Sequence, residues 1–275
     1  MRVDFGGVDM KVARAEYHVE SIGSAIRDFF KDDFKIPQAQ GYIDLDKEWQ
    51  VFCWAGLKPF PAEWGVMLGD AVHNLRSGLD HLMWQLVDAC PGDSPGNHTQ
   101  FPVSDTKAKW RDDIDERCKN RGPPPTHGLS QEAFDFVKSF QPFASGNKGK
   151  IGKRIKRLHH ISNTDKHRQI LANLPYHLSP PKRLELLPRG YFAIDKAKKV
   201  FAGTPIKNGT EFVRMKVRLI KFPPEDVRMR VKFEQATNIV FLAGGDRIIG
   251  AEDLKEMVND VRTVVTAAKE VAPGW

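Results

Sequence analysis

The sequence predicts an α+β fold: a helical bundle built from N-terminal, central and C-terminal helices, with an N-terminal β-hairpin and an antiparallel sheet inserted before the last helix. Three observations carry this reading. Apolar residues recur at alternating steps of three and four near both ends and in the middle of the chain, the spacing of one helical face. Between Leu184 and Val240 the period changes to two, the spacing of a strand with one buried face. With 275 residues, 41% of them hydrophobic, the chain has enough apolar surface for a substantial core.

The first helix is carried by Val12, Ala15, Val19, Ile22, Ile26 and Phe29. Residues 34–57 break that period: Tyr42-Ile43-Asp44-Leu45 and Trp49 to Trp54 read as two extended segments turning at Asp46-Lys47. Pro59 and Pro61 open a second helix over about 62–89, with Leu68, Val72, Leu75, Leu79, Leu82 and Leu86 on one stripe and Pro91-Gly92 as its stop. Residues 91–128, rich in Pro, Gly, Asp and Asn, predict loop with a short helix at about 105–117. A short helix follows over Leu129 to Phe140, with Ala133, Phe136, Val137 and Phe140 inward, and a basic one at about 151–171 after Gly146-Asn147-Lys148-Gly149. The alternation of Val213, Met215, Val217 and Leu219 against Phe212, Arg214, Lys216 and Arg218 predicts a sheet of four or five strands. Leu254, Val258, Val261, Val265 and Ala268 mark a last helix that packs beside the first. The resulting division is a helical unit over 1–172 containing the hairpin at 34–57, a sheet insertion over 173–248, and a returning helix over 249–275.

Charge is unevenly placed. The net +7 conceals segments 148–168 and 182–232, which carry +7 and +9, while the rest of the chain is acidic by 9. Such localisation predicts an electropositive surface and a polyanionic partner such as RNA. Lys148, Lys150, Lys153, Arg154, Lys156 and Arg157 cluster where a helix begins, so dipole and charge would both favour phosphate. No window reaches the ~18 apolar residues of a membrane helix, and the first twenty residues lack the apolar stretch of a signal peptide, so the expectation is a cytoplasmic protein without a membrane partner. Cys53, Cys90 and Cys118 are odd in number and form no C-x-x-C pair, which predicts neither a disulfide framework nor a zinc knuckle.

The most informative segment is Gly69 to His81. On a helical projection the leucines occupy about 340° to 60°, while Arg76, Asp80, His73, Trp84, Ser77, His81 and Asn74 occupy about 100° to 260°. That second arc contains neither Lys nor Glu, the usual residues of a solvated helical face, so it is expected to be covered, with its polar groups partnered. Partners are available in His159 to Arg168, where Asp80–Arg168 or Asp165–Arg76 would join the two helices. One reading is a structural polar network fixing helix register. The other is a site for cleaving RNA: a histidine exchanges a proton near neutral pH, and an arginine stabilises the charge developing on phosphorus.

Arg76-Ser77-Gly78-Leu79-Asp80-His81 resembles the R-[polar]-x-x-x-H signature of HEPN domains, helical modules that often act as metal-independent ribonucleases in toxin and phage-defence systems. The resemblance covers one helix. It implies that Arg76 and His81 are catalytic, with Ser77 the intervening polar residue, commonly in a composite site across a homodimer. His73, Asp80, Asn163, Asp165, His167 and Arg168 would orient that pair or bind RNA. Arg76 and His81 lie about 140° apart on a regular helix, so convergence requires a helix irregularity at Gly78 or a second subunit. No H-E-x-x-H or His-x3-His spacing occurs, and Gly146 to Arg154 misses the phosphate-loop pattern, so neither metal nor cofactor is expected. The alternative function, from a different class, is a non-catalytic interaction or nucleic-acid-binding module.

Overall fold

Helices α1 (Gly6–Phe30) and α2 (Glu63–Asp88) lie against one another through the stripes that their sequences mark. The computed structural model describes residues 3–30, 38–44, 49–55, 61–90, 94–116, 123–167, 176–178, 183–187, 190–199, 209–222, 230–234, 237–242 and 248–271. Val12, Ala15, Val19 and Ile22 of α1 are buried, as are all six stripe residues of α2 from Leu68 to Leu86. At Gly78 α1 lies close enough that a Cβ would make ordinary van der Waals contact with Lys11 Cβ at 3.5 Å and Val12 Cγ2 at 3.8 Å.

After α2 the chain forms α3 (Lys107–Trp110), started by the Thr106 hydroxyl accepting from the Lys109 amide and continued as a π-helical turn over Arg111–Glu116. Helix α4 (Gln131–Ser139) is capped the same way by Ser130, and α5 spans Gly146–His167. The last helix, α6 (Ala251–Val271), runs beside α1, where Lys269 pairs with Asp9 and Arg262 with Glu16. Its Leu254, Val258, Val261, Val265 and Ala268 join α1, α2 and α5 in one core.

The strands are β1 (Gln38–Asp44), β2 (Trp49–Ala55), β3 (Tyr176–Leu178), β4 (Arg183–Leu187), β5 (Phe192–Lys199), β6 (Glu211–Leu219), β7 (Arg230–Glu234), β8 (Thr237–Leu242) and β9 (Ile248–Gly250). Strands β1 and β2 pair antiparallel with Asp44 opposite Trp49, and residues 45–48 lie outside the described residues. The sheet differs from the expected self-contained insertion of four or five strands. Seven strands follow α5 among the described residues, and β6 pairs with β2 in a four-stranded sheet of order β1-β2-β6-β5. Alternation tells a strand which face to bury but not which partner to choose, and the apolar face of β6 is completed by Phe52 of β2. Phe52, Val213 and Met215 belong to the same buried cluster as the helical stripes, so helices and sheet share a core.

Among the core's few polar members is His18 on α1, its ring edge-on to Tyr17 at 5.7 Å. Burial, reinforced by Arg14 and opposed by Asp70, holds its pKa below the ordinary 6.5. The unfolded chain therefore binds a proton at His18 more readily than the folded one. The stability tied to neutral His18 is complete above pH 6.5 and is lost as pH falls through the lower folded value. Thermal melts between about pH 7.5 and 5 should fall less steeply for His18→Gln than for the native chain; parallel curves would show that His18 is not a linked group.

Candidate functional site: the polar side of α2 and the basic sheet

Arg76 is buried, with 5% of its surface exposed, by the segment that follows α2. Its Nη2 donates to Asp80 Oδ1 and to the Phe101 carbonyl, both at 2.7 Å, and the Phe101 amide donates back to Asp80 Oδ1 at 2.9 Å. The result is a set of charge-assisted bonds that ties the Phe101 backbone to the helix. Burial lowers the Arg76 pKa and the Asp80 charge opposes this, but a guanidinium retains its proton under these conditions. Nη1 is buried with no hydrogen-bond partner among the described residues.

The bonds at Arg76 bring in partners that the expected inter-helix pairs do not include. Arg76 takes its acid from its own helix, one turn on, and its second acceptor from a loop carbonyl, a partner that leaves no mark in sequence. The alternatives required Asp165, whose side chain lies outside the described residues, as does that of His167, and Arg168, which lies outside them altogether.

Nor is the rest of that helical face covered. His73, His81 and Trp84 are exposed, Ser77 is half-buried, and the Asn74 amide bonds the Asp70 carbonyl of its own helix. His81 lies beside α1, where a Cβ on Gly7 would come within 3.4 Å of its Nδ1. Helix α2 continues unbroken through Gly78, so Arg76 and His81 leave it about 140° apart, Arg76 toward Phe101 and His81 toward α1. Lack of Lys and Glu is a sign of cover only at Arg76 and, in part, at Asn74, Ser77 and Asp80. The α5 residues Ile151, Ile155, Leu158 and Ile161 instead join the core containing the α2 leucines. Asn163 is exposed, its Nδ2 lying 3.1 Å from His159 Nε2 on its own helix.

The six cations expected to meet phosphate divide into two groups. Helix α5 begins at Gly146, not 151, so they occupy its first three turns. Arg154 grips Asp260 of α6 through Nε and Nη2, which raises its pKa, and Arg157 grips Asp253 at 2.7 and 3.3 Å. Lys156 pairs with Asp105 at 2.7 Å and holds that carboxyl below its usual range. These three fasten α5 to its neighbours. Lys150 and Lys153 are exposed, and exposed Lys148 lies 5.1 Å from the centre of the Phe140 ring.

Gln141 was not singled out by sequence, yet it is fully buried and fully used. It accepts from the Ser104 amide and donates to the Pro102 and Val137 carbonyls, tying the Arg76-binding segment to the end of α4. Cys53 is buried, with its thiol pKa pushed up chiefly by burial, and Cys90 accepts from the Ser130 amide; Cys118 lies outside the described residues.

Among the described residues a second group of cations stands on β5 and β6. Their register sets Lys196 opposite Lys216 and Lys198 opposite Arg214, and residues two apart share a face, so all four side chains stand on one side of the ladder. Val213 and Met215 occupy the buried side. Arg214 is paired with Glu211 and Arg218 with Asp195, while Lys216 lies 5.8 Å from the centre of the Trp49 ring. Val51 of β2, opposite Arg214, is buried, so the face opens outward toward β5, where Lys196 and Lys198 are exposed.

Among the described residues no three His, Cys, Asp or Glu side chains assemble as a metal-binding group, and no helix is long and apolar enough to cross a membrane. Compared with protein-family models, curated proteins and solved structures, the chain finds no match.

Proposed function

We propose that this chain is a non-catalytic nucleic-acid-binding module, that RNA or another polyanion lies across the cationic face of β5 and β6, and that the Arg76–Asp80 pair is structural. The observation that supports this reading is the pairing of like charges in the β5–β6 register, Lys196 with Lys216 and Lys198 with Arg214. Like charges directly opposite one another destabilise a sheet. Lysine on an edge strand also discourages strand addition, but that purpose needs one row of cations and not two facing rows. A polyanion approaching this face would meet exposed Lys196 and Lys198 first.

Three phosphate contacts, from Lys196, Lys198 and Lys216, predict an affinity that falls about 20- to 40-fold between about 50 and 200 mM salt. Fluorescence anisotropy with labelled RNA of mixed sequence measures this. Lys196→Glu/Lys198→Glu should weaken binding and flatten the salt dependence by about two contacts, leaving the melting temperature unchanged or higher. Affinity indifferent to salt and to the charge reversal would remove the sheet from the account. RNA cleavage that persists in EDTA and is absent from His81→Ala would replace the binding-only reading with a HEPN-like ribonuclease, its Arg76 and His81 supplied by two copies of the chain.

A further inference from the structure

The end of β6 carries apolar side chains that the core does not use. Phe222 is 85% exposed, Ile220 55% and Leu219 41%. They lie against the start of β5, because the Ile220 and Lys221 amides both donate to the Tyr191 carbonyl, at 2.8 and 3.3 Å. Lys221 Nζ lies 5.9 Å from the centre of the Tyr191 ring. From Arg214 to Phe222 cations therefore alternate with rings: Lys216 beside Trp49, then Arg218, then Lys221 beside Tyr191, then Phe222 itself. The strand portion from Arg214 to Leu219 extends about 16 Å.

Resting on the reading of this sheet as a polyanion surface, we infer that its ligand is a single-stranded polynucleotide whose phosphates follow the cation rows while its bases stack on Trp49, Tyr191 and Phe222. Cations alone serve a duplex and a single strand equally. The rings decide between them: a duplex has already stacked its bases on each other and presents phosphates and groove edges, whereas a single strand offers free base faces to aromatic side chains. Exposed rings interleaved with cations also suit an anionic lipid surface. Trp49, however, is half-buried in the sheet with the Lys216 ammonium 5.8 Å from its ring centre, and does not project from the surface as a membrane-inserting ring does.

The test uses the full chain with labelled twelve-nucleotide single strands, ribo and deoxyribo, the matching duplexes, and phosphatidylcholine vesicles with and without phosphatidylserine. The single strand should bind at least about tenfold more tightly than the duplex. Phe222→Ala, at a position where nothing in the core is disturbed, should weaken the single strand about 5- to 150-fold and leave the duplex unaffected. Trp49→Phe should abolish part of the tryptophan quenching that the single strand produces. Preference between the ribo and deoxyribo strands identifies which polynucleotide is the ligand. Equal affinity for duplex and single strand, with Phe222→Ala inert, overturns this inference and leaves the polyanion reading standing. Retention on phosphatidylserine vesicles without affinity for either nucleic acid overturns both.

Discussion

Gly152→Ala should destabilise the protein by at least about 3 kcal/mol, at or beyond the upper end of ordinary overpacking. A Cβ at this position would stand 2.6 Å from the Gln141 carbonyl carbon and also press on the Phe140 carbonyl oxygen. Gly149, one turn earlier on the same side of α5, meets the Ala144 carbonyl carbon at the same 2.6 Å. The obstacles are backbone atoms, so no side-chain rotation relieves them; α5 must move away from the turn over 140–144. That movement would disturb buried Phe140 and the three hydrogen bonds of buried Gln141 to Ser104, Pro102 and Val137. Alanine regains about 1 kcal/mol of helix propensity, which offsets only part of the cost. Denaturant unfolding measures the difference, with Lys153→Ala, at an exposed neighbouring position, expected to stay within about 0.5 kcal/mol of the native chain. A Gly152→Ala protein as stable as the native one would mean that α5 and the 140–144 turn are not packed backbone to backbone.

The same glycines show where the sequence was and was not legible. Gly146-Asn147-Lys148-Gly149 looks like a turn, because glycine most often supplies backbone freedom, and the helix was accordingly expected from 151. In the structure Gly146 does adopt φ +66°, but Gly149 and Gly152 are inside α5 for the room that a missing Cβ provides. Periodicity located the stripes of α1, α2 and α6 because each faces one continuous core, and it assigned Val213 and Met215 to the buried face of β6. It could not join β6 to β2, since nothing local in either strand encodes a register of Gln50 opposite Met215. Nor could it show that Arg154 and Arg157 are held by Asp260 and Asp253, about a hundred residues away; charge in sequence is the same whether it awaits a phosphate or a carboxylate. The cations of β5 and β6 were visible as a basic segment, but their direct opposition depended on a pairing that only the fold reveals.

Arg76→Ala should lower stability by about 3 kcal/mol, the lower end of the range for breaking a buried ion pair, because Asp80 keeps 31% of its side chain exposed. For a chain of this size that is a drop of about 6–12 °C in melting temperature. The loss has two parts. The Phe101 carbonyl would lose the Arg76 donor, and Asp80 would keep the Phe101 amide but lose the Arg76 charge. Removing both members should therefore cost less than the sum of the single changes, so the cycle of Arg76→Ala, Asp80→Ala and the double variant should give a coupling of at least about 1 kcal/mol. Nucleic-acid affinity, measured at a temperature where the variant remains folded, should equal that of the native chain, since the cations assigned to the ligand are on β5 and β6. The opposite pattern, a native melting temperature with RNA binding or cleavage lost, would place Arg76 in contact with phosphate. The Nη1 atom then gains its meaning: buried without a hydrogen-bond partner among the described residues, it would be the donor for that ligand.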